Sequence, residues 1–546
     1  MPMTAVAERK LSESYWAVDD SVPLSEHTVG SLLADRAQNY STTAAFVGIP
    51  HGGSELRCLT YGELYDEALR VAAALTELTA PGEFVALWAP NVIEWPIIEF
   101  GAALAGRVLV ALNPAFRAGE LVYALEHSRA TVLIHADENR GYDMATVAAA
   151  AVDRVPGVRQ RISLTDTARW QSDTSDFVAP DVDPGDPAML QYTSGTTGNP
   201  KGVLLRHRSL VNVARMTMAT TELSDGSVFV NPLPMFHTAA CVIGTIGPVW
   251  MAGTTVLVQT FVPGKVLELA AAENADVLFF VPTILGALLE ATRGNESAAP
   301  KIGSIVGGAA NVPQVMIEGA ARVFGAAVHN LFGQTELAPV ITLTRKSDSI
   351  ADQLSTVGRP IPQVEVKIAG ADGAGVAALG VIGEICARGY QQMIEYYRDP
   401  AATAVAVDDE GWLHTGDLGL MDERGFVSVT GRLKEMIISG GENIAPAEVE
   451  SRLVEHDSVQ QAAVVGIPHE KWGETVAAVL VVRGEQPEDL VASVKEQLSD
   501  TLAPFKTPRR WFVTDTLPVT PSGKVQKYRL REAILDGAVD EIGEIS

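Results

Sequence analysis

Apolar strand-like runs exchange regularly with amphipathic helical ones, and this constrains the chain more than any other feature. Thr60-Tyr61-Gly62-Glu63 spells a capping box. It opens a helical pattern to about residue 78, with Leu64, Ala68, Val71, Ala72 and Leu75 at helical spacing. Strand candidates at 84–88, 108–112 and 131–135 then alternate with helices near 92–104 and 120–127. The pattern resumes with a helix at 209–217 and a strand at 227–230. Strands at 277–281, 302–306 and 327–331 follow, alternating with helices at 283–291 and 314–324. Such alternation predicts parallel sheet covered by helices on both faces. Residues 137–187 have weak periodicity and read as a connection between two subdomains. Short strands and turns from about 355 to 430 predict a small β-rich subdomain. The stretch 432–546 reads as a separate small α+β unit, with helices at 446–455, 488–499 and 527–535 and strands at 461–467, 475–483 and 510–513. At 546 residues the chain exceeds one hydrophobic core, so several domains are expected.

Composition narrows the partners. With 41 Lys and Arg against 67 Asp and Glu, the formal net charge is −26, which opposes non-specific nucleic-acid binding. Cys58, Cys241 and Cys386 lie far apart, offering neither a disulfide framework nor metal spacing. A reducing compartment fits, and early charges at Glu8, Arg9 and Lys10 leave no secretory signal. A cytoplasmic protein is expected. From Thr238 to Gly264 no residue is charged, but Gly244, Gly247, Pro248, Gly253 and Pro263 interrupt the run. A buried helix, a turn and a buried strand explain it better than a membrane span. Gly373 to Ala378 loosely imitates a dinucleotide-binding pattern, yet it sits between two strand runs and reads as a hairpin loop.

The run most informative about chemistry is Tyr192-Thr193-Ser194-Gly195-Thr196-Thr197-Gly198-Asn199-Pro200-Lys201-Gly202. Its glycines allow close backbone approach, and successive free N–H groups make an anion-binding concavity. Hydroxyls and the Lys201 ammonium add donors, so the run reads as a phosphate grip. It is not a Walker A loop, because Pro200 precedes the lysine and Gly202 follows it. His329-Asn330-Leu331-Phe332-Gly333-Gln334-Thr335-Glu336 ends a strand with a glycine turn, a hydroxyl and a carboxylate. Thr335 suits a phosphate and Glu336 suits Mg²⁺, a hard cation that takes carboxylate and phosphate oxygens together. The small residues Gly307, Gly308, Ala309 and Ala310 let a flat group lie on the backbone. Asp417, set among glycines in Gly411 to Gly419, can accept from two ribose hydroxyls at once. Pro518 to Lys527 forms a Pro/Ser/Gly loop carrying Lys524, as an active-site lid would.

These motifs, in this order and over nearly the whole chain, resemble the adenylate-forming superfamily of acyl-CoA synthetases, nonribosomal adenylation domains and luciferases. A bacterial fatty-acid–CoA ligase is the member most similar in pattern. The resemblance implies a large N-terminal domain, 1–431, of two doubly wound α/β subdomains plus the β-rich subdomain. A small mobile C-terminal domain, 432–546, would turn on a hinge near Lys434. It implies ATP, Mg²⁺ and coenzyme A, a carboxylic-acid substrate, and no nucleic acid. Peripheral membrane contact and a homodimer stay open.

The resemblance also assigns roles. The loop from Thr193 to Gly198, with Lys201, would hold the departing pyrophosphate, and Glu336 the metal. Gly308, Ala309, Ala310, Asn330, Phe332, Gly333 and Gln334 would border the adenine. Phe332 stands where the family motif has tyrosine, so the stacking face is kept and the hydroxyl lost. Asp417 would bind ribose, Arg432 ribose or phosphate, and Lys524 would bridge the substrate carboxylate and the α-phosphate. Gly440, Gly441 and Trp472 would line the thiol path, with Lys506 and Arg510 near the phosphates of coenzyme A. The acyl pocket would draw on 236–244, 281–285, 306–310 and 332–340, where only His237 and Glu336 are ionisable. With no spare counter-charge for a second carboxylate, an apolar acid is expected, a medium- or long-chain fatty acid first. Aryl or branched acids, an acyl-adenylate ligase loading a carrier protein, and a luciferase-like monooxygenase are the alternatives.

Overall fold

Two large, mainly parallel sheets organise much of the chain. The computed structural model describes residues 9–193, 200–308, 312–370, 373, 375–439, 442–499, 502–519 and 525–544. Contacts divide it into two compact units. The first holds Trp16–Val366 and Ala387–Leu413; the second holds Lys10–Tyr15, Lys367–Cys386 and His414–Ser546. This division falls elsewhere than at 431/432.

In the first unit, a seven-stranded sheet runs Glu395–Tyr396, Lys201–Arg206, Pro187–Thr193, Val108–Leu112, Phe84–Trp88, Val132–His135, Gln160–Ser163. From Pro187–Thr193 onward its strands are parallel. Val108–Leu112 is buried at every position, as a strand covered on both faces must be. A nine-stranded sheet of the same unit has a parallel centre, Ala327–Phe332, Ser304–Gly308, Val277–Phe280, Val228–Asn231, Thr254–Leu257 and Ala44–Gly48. Antiparallel strands flank it at both sides. The capping box at Thr60 is formed: its side chain accepts from the Glu63 N–H, and the Glu63 carboxylate answers.

In this unit one expectation needs correction. Residues 137–187 do more than connect, because Gln160–Ser163 joins the seven-stranded sheet and Met144–Arg154 is a helix. That helix is alanine-rich, so it lacks the polar–apolar contrast from which periodicity is read. The phosphate-loop sequence precedes a helix, as expected. It joins Pro187–Thr193 to the antiparallel strand Lys201–Arg206, and only then does the helix His207–Thr220 begin. The uncharged run resolves as expected into the buried π-helical stretch Ala239–Ile246, the short helix Gly247–Trp250 and the strand Thr254–Leu257.

In the second unit, a mixed sheet orders Glu442–Ile444, Ile437–Ser439, Gly473–Val482, Arg510–Val513 and Asp540–Glu544, with Val459–His469 also on Gly473–Val482. The stretch 436–443, which reads from sequence as one strand, falls in two short strands, Ile437–Ser439 and Glu442–Ile444, paired antiparallel. A small five-stranded sheet, most of it in this unit, orders Tyr15–Trp16, Val364–Ile368, Gly383–Gly389, Leu413–Met421 and Val427–Arg432. The turn after Val364–Ile368 closes through an Ala369–Val376 bridge, so the dinucleotide imitation is a hairpin loop as read.

Candidate active site

Among the described residues of the first unit, the loop's flanks are fixed by pairing. Thr193 faces Lys201 across the antiparallel register, and Tyr192 faces Gly202. Helix Ala118–Ser128 braces both flanks: the Tyr123 hydroxyl donates to the Pro200 carbonyl (2.9 Å), and the Tyr192 hydroxyl donates to the Ala124 carbonyl (2.9 Å). Ser194, Gly195, Thr196, Thr197 and Gly198 lie outside the described residues, as do Ala309, Ala310, Gly440, Gly441 and Lys524.

Lys201 and Glu336 are linked by a residue that sequence reasoning missed. The Lys201 ammonium sits 4.5 Å from the centre of the Tyr396 ring, a cation–π arrangement. The Tyr396 hydroxyl donates to Glu336 Oε1 at 2.7 Å. Burial together with the neighbouring Glu336 charge pushes that phenol well up, so it stays a donor. The Met393 N–H donates to the Glu336 carbonyl, fixing the backbone of the carboxylate as well. Glu336 is only 9% exposed, and it forms no ion pair among the described residues. A buried carboxylate held by a neutral phenol keeps its negative charge uncompensated, which suits a hard divalent cation. Tyr396 had a weak signal: it opens Tyr396-Tyr397-Arg398-Asp399-Pro400, with no periodicity to mark it as functional.

Asn330 lies on the strand Ala327–Phe332 and is buried, and its side-chain oxygen has no hydrogen-bond partner among the described residues. A Cβ added at Gly308 would stand 2.1 Å from the Leu331 carbonyl and 3.2 Å from that Asn330 oxygen, so only glycine fits there. An unsatisfied buried acceptor beside bare backbone is what an exocyclic amino group of a purine needs. Thr335 begins a short 3-10 turn that carries Glu336, and Phe332, Gly333 and Gln334 lead into it. His237 packs against Phe236, ring centres 4.2 Å apart. Crowding pushes its ring down to about 4, so it is neutral near pH 7 although its edge still meets solvent.

In the second unit, Asp417 and Arg432 face each other across paired strands, with Arg432 Nε 3.0 Å from Asp417 Oδ1. Asp417 is nearly buried, while Arg432 remains partly exposed. Lys434 is exposed on the 3-10 turn Leu433–Glu435, just after the strand that ends at Arg432. Trp472 sits in the turn of the long hairpin, with Lys471 4.5 Å and Arg509 5.2 Å from its ring centre. Lys506 and Arg510 are ion-paired to Glu448 and Glu541, so a cofactor phosphate would have to displace those partners. One cluster joins a cysteine to two other ligand-type groups: Glu384 and Cys386, two apart in sequence, and His414 bring their ligand-type atoms within 4.8 Å of one another.

A doubly wound pair of sheets, a glycine- and hydroxyl-rich loop at a strand end, a buried carboxylate and a small C-terminal unit define an ATP-dependent adenylate-forming enzyme. The chain belongs to the AMP-binding enzyme family: that model matches residues 33–397, and the model of the AMP-binding enzyme C-terminal domain matches 448–524. It is 34% identical over 542 residues to a putative acyl-CoA synthetase, YngI, of Bacillus subtilis (strain 168), covering 93% of this chain and 97% of that one. It is 35% identical over 500 residues to a methyl-dioxo-octahydro-indenyl-propanoyl:CoA ligase of Rhodococcus jostii (strain RHA1), covering 87% and 93%. The ATP-bound structure of MatB from Rhodopseudomonas palustris superposes with a TM-score of 0.83 at 28% identity, covering 93% and 99%. The protein is therefore an acyl-CoA synthetase, an AMP-forming acid–CoA ligase that uses ATP. Among the described residues no helix is long and apolar enough to cross a membrane.

Proposed function

We propose that this synthetase activates an apolar carboxylic acid, a medium- or long-chain fatty acid before an aryl or branched one, and passes it to coenzyme A in the cytoplasm. The carboxylate oxygen attacks the α-phosphorus of ATP, the bond to the β-phosphate bridge breaks, and pyrophosphate leaves. The thiol sulfur then attacks the acyl carbonyl, the bond to AMP breaks, and the thiol proton passes to solvent. The observation that carries the first step is the Lys201–Tyr396–Glu336 arrangement. It sets a cation and an uncompensated carboxylate beside the flanks of the loop. Bound to Glu336, Mg²⁺ would neutralise charge on the departing phosphates. Thr193, Ser194, Thr196, Thr197 and the backbone of 195–198 would hold those phosphates, and Lys524 would meet the charge that develops at the α-phosphate.

For the nucleoside, Asn330 would receive the adenine amino group, Phe332 would stack on the ring, and Asp417 with Arg432 would hold the ribose. Rotation of 432–546 about Lys434 would then bring Gly440, Gly441 and Trp472 to the thiol. The exposed turn that carries Lys434 supports a pivot there. The pocket segments supply His237 as a neutral ring and no spare counter-charge, which favours an apolar tail. A panel of carboxylic acids, followed by pyrophosphate release with and without coenzyme A, tests the reading. Fatty acids should release pyrophosphate, and thioester should form only when the thiol is present. Turnover confined to dicarboxylic or amino acids would sink the substrate reading, and acyl transfer only to a carrier protein would sink the acceptor.

A further inference from the structure

The Glu384–Cys386–His414 cluster lies outside the residues that meet substrate, yet it adjoins the turn bearing Asp417. Glu384 and Cys386 are two apart on the strand Gly383–Gly389, so they share one face, and His414 stands on the neighbouring strand Leu413–Met421. Glu384 Oε2 meets His414 Nδ1 at 2.7 Å, and Glu384 Oε1 accepts from the Gly416 N–H at 2.9 Å. Cys386 Sγ is 3.5 Å from the same His414 nitrogen and is buried. Gly416 has a φ of +71°, a left-handed conformation that kinks the strand Leu413–Met421 one residue before Asp417. The Thr415 hydroxyl donates to the Ile385 carbonyl at 2.7 Å, and the Asp417 N–H donates to that hydroxyl at 3.1 Å. A single carboxylate thus fastens the residue two before the kink and the backbone of the kink itself.

We infer that Glu384 is a positioning residue for ribose recognition: by clamping His414 and the Gly416 N–H it fixes the turn that aims Asp417 at the ribose hydroxyls. The inference rests on the assignment of Asp417 to ribose. Without the clamp, the left-handed kink would relax toward ordinary strand and Asp417 would swing with it. The consequence is selective, since the phosphates and adenine are held by other residues. Loss of Glu384 should therefore weaken the grip on the sugar more than the chemistry.

The test compares ATP with 2′-deoxy-ATP and 3′-deoxy-ATP in pyrophosphate release by the full chain, wild type against Glu384→Gln. Glutamine keeps the shape but replaces one acceptor oxygen by a donor. The preference for ATP over the deoxy forms should narrow about tenfold through KM, as expected for one charge-assisted hydrogen bond. kcat at saturating ATP should hold, and the thermal melting curve should stay cooperative. Asp417→Asn should collapse the same preference, and adding Glu384→Gln to it should change little more, because the two act in series. Equal losses on all three nucleotides in Glu384→Gln would overturn the inference. So would stoichiometric zinc bound by the wild-type protein and lost in His414→Asn, which would make the cluster a metal centre. If Asp417→Asn itself leaves the preference intact, it is the ribose assignment that has failed.

Discussion

Glu336 and Asp417 are hidden to nearly the same degree, 9% and 6% exposed, yet the protein treats their charges in opposite ways. Asp417 lies 3.0 Å from the guanidinium of Arg432, so its charge is already balanced. What it has left to offer is acceptor lone pairs, the currency of sugar hydroxyls. Glu336 has the phenol of Tyr396 on one oxygen and no ion-pair partner among the described residues. Its charge remains to be met from outside, at a cost in desolvation that only a strongly bound cation offsets. Two carboxylates of similar burial are thereby suited to two ligands, and the partner rather than the depth makes the distinction.

The largest expected effect comes from a lysine outside this pair. Lys524→Ala should abolish adenylate formation while authentic acyl-adenylate still reacts with coenzyme A; retained pyrophosphate release would end the assignment. Glu336→Gln should come next, lowering adenylation about 10²- to 10³-fold, in line with the removal of one preorganised charge at a reacting phosphate. Raising Mg²⁺ should not restore it. Asp417→Asn should cost about tenfold, mostly in KM for ATP, because a neutral amide still offers one acceptor. If Asp417→Asn proves as damaging as Glu336→Gln, the contrast between balanced and unbalanced charge is wrong. Tyr396→Phe should be milder still. It frees Glu336 Oε1 rather than removing it, so the Mg²⁺ requirement should shift several-fold with kcat little changed.

One further effect is on stability rather than activity and involves neither carboxylate. His207, fully buried at the start of the helix His207–Thr220, accepts from the Val29 N–H, and burial pushes its ring down to about 4. Its ordinary value is 6.5, so between those limits the unfolded chain binds a proton that the folded one refuses. Stability from this group is full above pH 6.5 and is lost as pH falls toward 4, by at most about 3 kcal/mol. In urea titrations across that window, His207→Gln should remove about one proton's worth of the slope. An unchanged slope would mean that the ring is already charged in the folded protein.

The parts that sequence could disclose are those whose physics is local. Parallel strands sealed on both faces read as apolar runs, so the central strands of both large sheets were legible. The strand Lys201–Arg206 was not, because six residues between a proline and a helix carry no alternation. Motifs rich in glycine and hydroxyls announced the phosphate loop, Glu336 and Asp417 because that chemistry needs unusual local composition. Tyr396 and Glu384 escaped for the opposite reason. Tyr396 gains meaning only from a hydrogen bond to a residue sixty positions away, and Glu384 from one thirty positions away. Partners so far apart along the chain leave no spacing to read. The paired strands Ile437–Ser439 and Glu442–Ile444 read from sequence as one strand, because Gly440 and Gly441 also read as a place for a ligand to pass.

The pairing of Thr193 with Lys201 sets what this loop can tolerate in evolution. Because the two residues are joined across an antiparallel ladder, the span between them can be lengthened, shortened or exchanged without disturbing which face of its strand Lys201 presents. A single insertion beyond Lys201 behaves differently: it reverses the facing of everything from that point to Arg206. Relatives that differ in nucleotide handling should therefore vary inside the hairpin and keep the strand beyond it free of insertions. Grafting the hairpin between members of the family should succeed when the cuts are placed at that pair of residues.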